Sequence, residues 1–178
     1  MKHYSPVQGN IVIGGHSIQG LDTEWLRQNI TLVQQESVLF NETVSRNIAF
    51  GREGTVASED VLNAVKKADL QQTIISLPEG LETLVGSNGK SLSGGQQKRT
   101  AIARARLRDS PGAILNEATS ALYQMSRLKV MEKIREWRQN KMTIIITHDV
   151  SQIRDGEYVY VLEHDSVVQE GHLKNFVE

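Results

Sequence analysis

Leu92-Ser93-Gly94-Gly95-Gln96-Gln97-Lys98-Arg99 is the most informative stretch of this 178-residue chain. Ser93 with Gln96 three residues later forms a capping box, in which each side chain satisfies a backbone N–H at a helix start. The helix it opens is expected to run from about Ser93 to Arg108. The box leaves two glycines in the first turn unexplained, where each costs about 0.5–1 kcal/mol relative to Ala. Glycine fits there if something must approach the backbone closely. A helix N-terminus with bare N–H groups favours an anion, most simply a phosphate.

Working outward, short apolar runs bounded by polar or turn residues read as buried strands at Gly112 to Leu115, Met142 to Thr147 and Tyr158 to Leu162. A further strand pair is expected at Asn10 to Ile13 and Ile30 to Gln34, with a short capped helix over Asp22 to Arg27 between them. Val61, Val65 and Ala68 repeat at helical spacing behind Ser58 as the expected cap. Val130, Ile134 and Trp137 repeat it again, with Met131 alongside. Strands alternating with helices in the second half predict an α/β fold with a parallel sheet. The mostly helical residues 36–109 interrupt that alternation and read as an inserted helical subdomain.

The balance of 20 Lys plus Arg against 21 Asp plus Glu gives a net charge of −1, which offers no electrostatic case for nucleic acid. The run Lys98, Arg99, Arg104, Arg106 and Arg108 has no interleaved aromatics and is expected to form a solvated or salt-bridged face. The absence of cysteine excludes disulfide scaffolds, zinc fingers and thiol catalysis. No stretch approaches the ~18 consecutive apolar residues of a membrane span. Met1 to Pro6 carries no apolar leader core, so the chain as it stands is expected to be cytoplasmic.

Leu92 to Gln96 resembles the LSGGQ signature of the ATP-binding-cassette (ABC) ATPases, and other elements stand in that family's order. Val33-Gln34-Gln35-Glu36 is similar to the Q-loop, and Val38 to Val44 with Asn47 to Gly51 resembles the exporter-type segment that follows it. Thr83-Leu84-Val85-Gly86 matches the loop before the signature in exporters. Ala113 to Leu122 resembles the Walker B strand and D-loop, and Ile146-Thr147-His148-Asp149 the switch-histidine loop. Within the family the chain looks like exporters of the multidrug and peptide class. Its wording around Arg108 to Pro111 and Thr147 to Ile153 is most similar to fungal mating-pheromone exporters.

This resemblance implies a partial P-loop-NTPase-type core at 1–35 and 110–178, interrupted by a helical signature subdomain at 36–109. It implies ATP and Mg²⁺ as cofactors. Glu117 stands as candidate general base and His148 as candidate γ-phosphate contact. Gln35 is a candidate nucleotide-site and Mg²⁺ ligand, and Ser93, Gly94, Gly95 and Gln96 are nucleotide contacts. The implied partners are a second nucleotide-binding domain, arranged head to tail, and the transmembrane domains of an exporter, with no nucleic acid. A chain joined to such a transporter would lie on the cytoplasmic face of a membrane.

Three departures matter. The sequence holds no G-x-x-x-x-G-K-[ST] loop: in Gly89-Lys90-Ser91 the first glycine of the motif would fall at Leu84, so Lys90 is expected to be a solvated loop residue. The family's P-loop is expected before Met1, and without it the chain is expected either to be marginally stable or to expose an apolar patch that aggregates. The Walker B aspartate is Asn116, which carries no charge for Mg²⁺. The aspartate that closes the family's S-A-L-D sequence is Tyr123. The expectation is therefore an exporter's nucleotide-binding domain that is catalytically incompetent alone. The alternative is a degenerate binding module offering its signature in trans to a partner ATPase. A soluble ABC ATPase of the DNA-repair kind is set aside, because the short stretch between Gln35 and Leu92 holds no heptad run.

Overall fold

The computed structural model describes residues 4–52 and 54–173. The chain divides into two compact units, residues 1–146 and 147–178.

The first unit opens with a two-residue hairpin, β1 (Val12–Ile13) pairing with β2 (His16–Ser17) across Gly14-Gly15. The expected strand at 10–13 is thus shorter and pairs locally. α1 (Thr23–Asn29) is capped by Asp22, whose carboxylate accepts from the N–H of Trp25 at 3.0 Å. It leads directly into β3 (Ile30–Val33). Four helices follow: α2 (Val44–Ala49), α3 (Ser58–Lys67), α4 (Gln71–Ser76) and α5 (Gly94–Arg108). Ser58 is the first helical residue of α3 and not its cap; Ala57 takes the cap position without a side-chain bond. β4 (Gly112–Asn116), α6 (Gln124–Trp137) and β5 (Met142–Ile146) complete the unit.

The sheet order is β3-β4-β5, all parallel, with Val33 opposite Leu115 and Asn116 opposite Ile146. This register places Gln34 and Gln35 beside Asn116 and Glu117 at the carboxyl ends of their strands, where parallel sheets place their ligands. One face of the sheet is covered. On the other, Leu32, Met142, Ile144 and Ile146 are all substantially exposed, an apolar face of the kind the sequence predicts.

The core joins both parts of the unit: Leu39, Ile48, Leu70, Ile102, Leu115, Met131 and Ile134 are almost wholly buried in one cluster. α5 lies at its centre, against α2, α3 and β3. Asn47 is buried and organises the turn ahead of α2. Its Oδ1 accepts from the N–H of Phe40 at 2.8 Å, and its Nδ2 donates to the carbonyls of Phe40 and Thr43 at 3.0 Å. Gly89 has φ +73°, and a Cβ there would come within 2.9 Å of Leu39 Cδ1. Its place in Gly89-Lys90-Ser91 is thus explained by packing, and Lys90 is exposed as expected.

The second unit contains a short 3₁₀ turn, Val150–Gln152, and an antiparallel hairpin of β6 (Tyr158–Glu163) and β7 (Ser166–His172).

Candidate functional site at the start of the long helix

Ser93 takes the extended backbone of an N-cap (φ −64°, ψ 158°), and both halves of the capping box form. The Gln96 N–H donates to Ser93 Oγ at 3.4 Å, and the Ser93 N–H donates to Gln96 Oε1 at 2.8 Å. Ser93 and Gly94 are exposed, Gly95 and Gln96 half-buried. A helix start leaves its first N–H groups without intrahelical acceptors, so an anion can meet them here.

The glycines need a second reason besides an approaching ligand. A Cβ on Gly95 would stand 3.2 Å from Leu122 Cδ2 and 3.4 Å from the Ala121 carbonyl. The group that approaches Gly95 most closely is the chain's own loop after β4. Gly94 is freer, with Ala121 Cβ at 3.7 Å.

That loop begins at Glu117. Its N–H donates to the Ile146 carbonyl at 3.0 Å, and its own carbonyl accepts from the N–H and Oγ of Ser120 at 3.2 and 2.9 Å. These bonds hold Glu117 at φ +48°, a left-handed conformation that costs a non-glycine residue about 1–2 kcal/mol. Asn116 precedes it as the last residue of β4. Gln35 is exposed beyond the end of β3.

Lys98 connects these groups, and it departs from the expectation of a solvated or salt-bridged basic face. Only 5% of it is exposed. Its ammonium donates to the main-chain carbonyls of Gln34, at 3.0 Å, and of Gln35. Burial pushes the ammonium below its usual range, while the carboxylates of Glu117 and Glu36 push it back up. Three other cations of the run are also engaged, while Arg99 Nε is buried without a hydrogen-bond partner. Arg104 donates from Nε to the Asn47 carbonyl at 2.8 Å and from Nη1 to that of Val38 at 3.0 Å, with Phe40 and Phe50 stacked about it. Burial lowers its basicity. Arg106 pairs with Asp109, and Arg108 donates to the Arg27 carbonyl. α5 is central and not peripheral, so Lys98, Arg104 and Arg108 bond to neighbouring backbone, and among the described residues Arg106 alone of the run makes an ion pair of the expected kind.

His148 lies in the second unit, exposed, on the turn before Val150–Gln152. The capping group of that turn is Asp149, whose Oδ1 accepts from Ser151 N–H at 3.0 Å and Ser151 Oγ at 2.6 Å.

The strand-end donors do not fit a magnesium ion held by this chain. They are two neutral amides, Gln35 and Asn116, and one carboxylate, Glu117, with the Lys98 ammonium beside them. Hard divalent cations favour several anionic oxygens. Among the described residues no cluster of three or more acidic or imidazole side chains is poised for a metal.

The sequence profile of the ABC transporter family matches residues 1–120. The alpha-factor-transporting ATPase of Saccharomyces cerevisiae is 43% identical over 180 residues, covering 96% of this chain and 14% of that protein. The ABC-type transporter fsqE of Aspergillus fumigatus is 41% identical over 177 residues, with the same two coverages of 96% and 14%. An ATP-dependent lipid A-core flippase of Idiomarina loihiensis is 38% identical over 170 residues, covering 96% of this chain and 29% of that protein. The chain thus spans 14–29% of the length of these three relatives. A bacterial Atm1-family ABC exporter, solved with ATP bound, superposes with a TM-score of 0.93 at 35% identity, covering 97% of this chain and 30% of that one.

Proposed function

This chain belongs to the ABC transporter family as nucleotide-binding-domain sequence of the exporter kind, and from that premise we propose that it acts through the start of α5. ATP with Mg²⁺ is what the family uses in general. In the proposed arrangement a second nucleotide-binding domain, head to tail, holds the nucleotide. Ser93, Gly94, Gly95 and Gln96 meet its phosphates with backbone N–H groups and the Ser93 hydroxyl. The whole assembly, joined to transmembrane domains, would couple ATP hydrolysis to export and hold this unit on the cytoplasmic face. Among the described residues no helix is long and apolar enough to cross a membrane.

The observation that carries this reading is the closed capping box with Ser93 and Gly94 exposed at its mouth. Parallel pairing of β3 with β4 across the intervening helices favours a core of 1–35 and 110–178 with a signature subdomain at 36–109. Glu117 is the candidate base for an attacking water, and His148 and Gln35 the candidate contacts of a γ-phosphate and its surroundings. Phosphoryl transfer depends almost wholly on positioning and charge stabilisation. With Asn116 neutral and no P-loop in the sequence, the isolated chain should hydrolyse nothing. Asn116 and Tyr123 also favour a narrower reading, a binding module that serves a partner ATPase without turnover of its own.

Steady-state ATPase assays test this. The 178-residue chain alone should give no turnover. Added to a complete exporter nucleotide-binding domain, it should change that domain's rate, and Ser93→Arg should remove the change. Turnover by the chain alone that Glu117→Gln abolishes would overturn the proposal.

A further inference from the structure

Lys98 stands one turn after the capping box, on the stripe of α5 that also buries Ile102 and Ala105. Lysine is almost never buried unless it is paired. Its ammonium acceptors are the carbonyls of Gln34 and Gln35, which lie past Val33, the last residue of β3 in the ladder. Its neighbour Gln97 reaches the other way, donating from Nε2 to the carbonyls of Gly89 at 2.9 Å and Leu92 at 3.1 Å. Two adjacent side chains thus fasten the helix start to the loop before it and to the turn after β3.

We propose that Lys98 is a positioning residue, locking the main chain of Gln34 and Gln35 to α5 so that Gln35 and the turn carrying Ser93 to Gln96 move as one body. The path is short. Lys98 follows Gln96 by two residues in a continuous helix, and one of its two acceptors is the carbonyl of Gln35 itself. A shift of the helix start on meeting a phosphate reaches Gln35 through this ammonium without passing through the strand ladder. An apolar side chain of similar length at 98 would leave both carbonyls without their donor, and residues 34–37 could then open independently of the helix.

The functional weight of this lock rests on the reading that the chain works through the start of α5, so the experiment separates the two. Peptide-resolved amide hydrogen exchange is measured on the full chain and on Lys98→Met and Lys98→Arg. In Lys98→Met the amides of residues 34–37 should exchange about ten- to a hundredfold faster, the factor expected on losing charge-assisted bonds. Amides within Val130–Ile134 should keep wild-type rates. Lys98→Arg retains donors and should restore most of the protection. Unchanged exchange at 34–37 in Lys98→Met overturns the lock. So does equal acceleration at 34–37 and 130–134, which would be global loosening, and so does a Lys98→Arg chain as open as Lys98→Met. Repeating the measurement with a complete exporter nucleotide-binding domain and ATP should add protection at both 93–97 and 34–37 in the wild type, and at 93–97 alone in Lys98→Met. Absence of added protection at 93–97 in the wild type would count against the functional reading, leaving the lock to be judged on the unliganded comparison.

Discussion

Tyr123 occupies the N-cap of α6 with the right backbone and the wrong side chain. Its φ of −61° and ψ of 150° are those of a cap, but no side-chain bond reaches the helix, and the first turn holds no acidic residue. Elsewhere in the same unit Asp22, Thr43 and Ser93 each accept an N–H from the first turn of their helices. Replacing Tyr123 by Asp supplies the missing acceptor without moving the backbone. A cap of this kind contributes about 1 kcal/mol, within a range of roughly 0.5–2, and a carboxylate at the positive end of the helix dipole adds about 0.3–1. Little is lost in exchange, because Tyr123 is 91% exposed. For a chain of this length 1 kcal/mol moves Tm by about 2–4 °C. Tyr123→Asp should therefore raise the thermal midpoint by about 3–6 °C at neutral pH, read by circular dichroism at 222 nm. Tyr123→Asn should give the cap's share without the charge, and Tyr123→Ala should give no gain. The Asp advantage over Asn should vanish as pH falls below the carboxylate range. The reasoning is refuted if Tyr123→Asp is no more stable than Tyr123→Ala.

Three other outcomes follow from bonds described here or adjoining them. Arg138 is 4% exposed and donates to the carbonyls of Ser110, Pro111 and Met142 at 2.6, 2.9 and 2.6 Å; Arg138→Met should lower stability by about 3 kcal/mol or more in urea unfolding, with Arg138→Lys recovering only part. Asp69 pairs with Lys133 at 2.8 Å and Lys129 at 2.9 Å. Burial raises its pKa, but the two lysines outweigh that, and the net shift is downward. The stability this gives is present above the unfolded value and lost as pH falls through the lower folded value, so Asp69→Asn should flatten the acid limb of a urea-midpoint profile below about pH 4. Its size is about 1 kcal/mol or less, because Lys129 is well exposed. Glu117→Gly should stabilise the first unit by about 1 kcal/mol, by relieving the positive φ while removing the carboxylate; a chemical-denaturation midpoint that falls instead would show the carboxylate's own contacts outweigh the strain.

The elements visible in the sequence are those whose signal is local. The capping box placed the start of α5 at the right residue, apolar periodicity placed α6, and short apolar runs placed the strands β4, β5 and β6, of which only β4 is mostly buried; one face of β5 and most of β6 are exposed, against the expectation of buried strands. β7 was invisible because Ser166–His172 has no apolar run, and all of its side chains but Gly171 are exposed. α2 carries almost no periodicity in six residues; it is held by Asn47 and Arg104, contacts made across the chain. The burial of Lys98 was the costliest miss. The signal was present, since Lys98 stands four residues before Ile102 and seven before Ala105, on an apolar stripe. Counting charges along the helix concealed it, and counting them around the helix would have revealed it.

The two glycines of the first turn look alike in sequence, yet they do different work. Ligand access alone would ask for small side chains at both and would leave either tolerant of Ala if the ligand could shift. At Gly95 the approach is tight: a Cβ would stand 3.2 Å from the Leu122 side chain, which is 4% exposed and part of the core, and 3.4 Å from the Ala121 carbonyl. A methyl group there requires Leu122 Cδ2 to give by a few tenths of an ångström, in a loop that already holds its first residue at φ +48°. Gly94 meets only an ordinary contact, Ala121 Cβ at 3.7 Å, so a methyl there fits without displacing a neighbour. Gly95→Ala should thus be felt by its neighbours in the strand-end loop even with no ligand present, whereas Gly94→Ala should stabilise the free helix by about 0.5–1 kcal/mol and be felt adversely only once a phosphate arrives. The capping turn is therefore joined to the strand ends by two independent contacts, Gly95 on the Leu122 side and Lys98 on the Gln35 side, and any ligand that moves the turn must work against both.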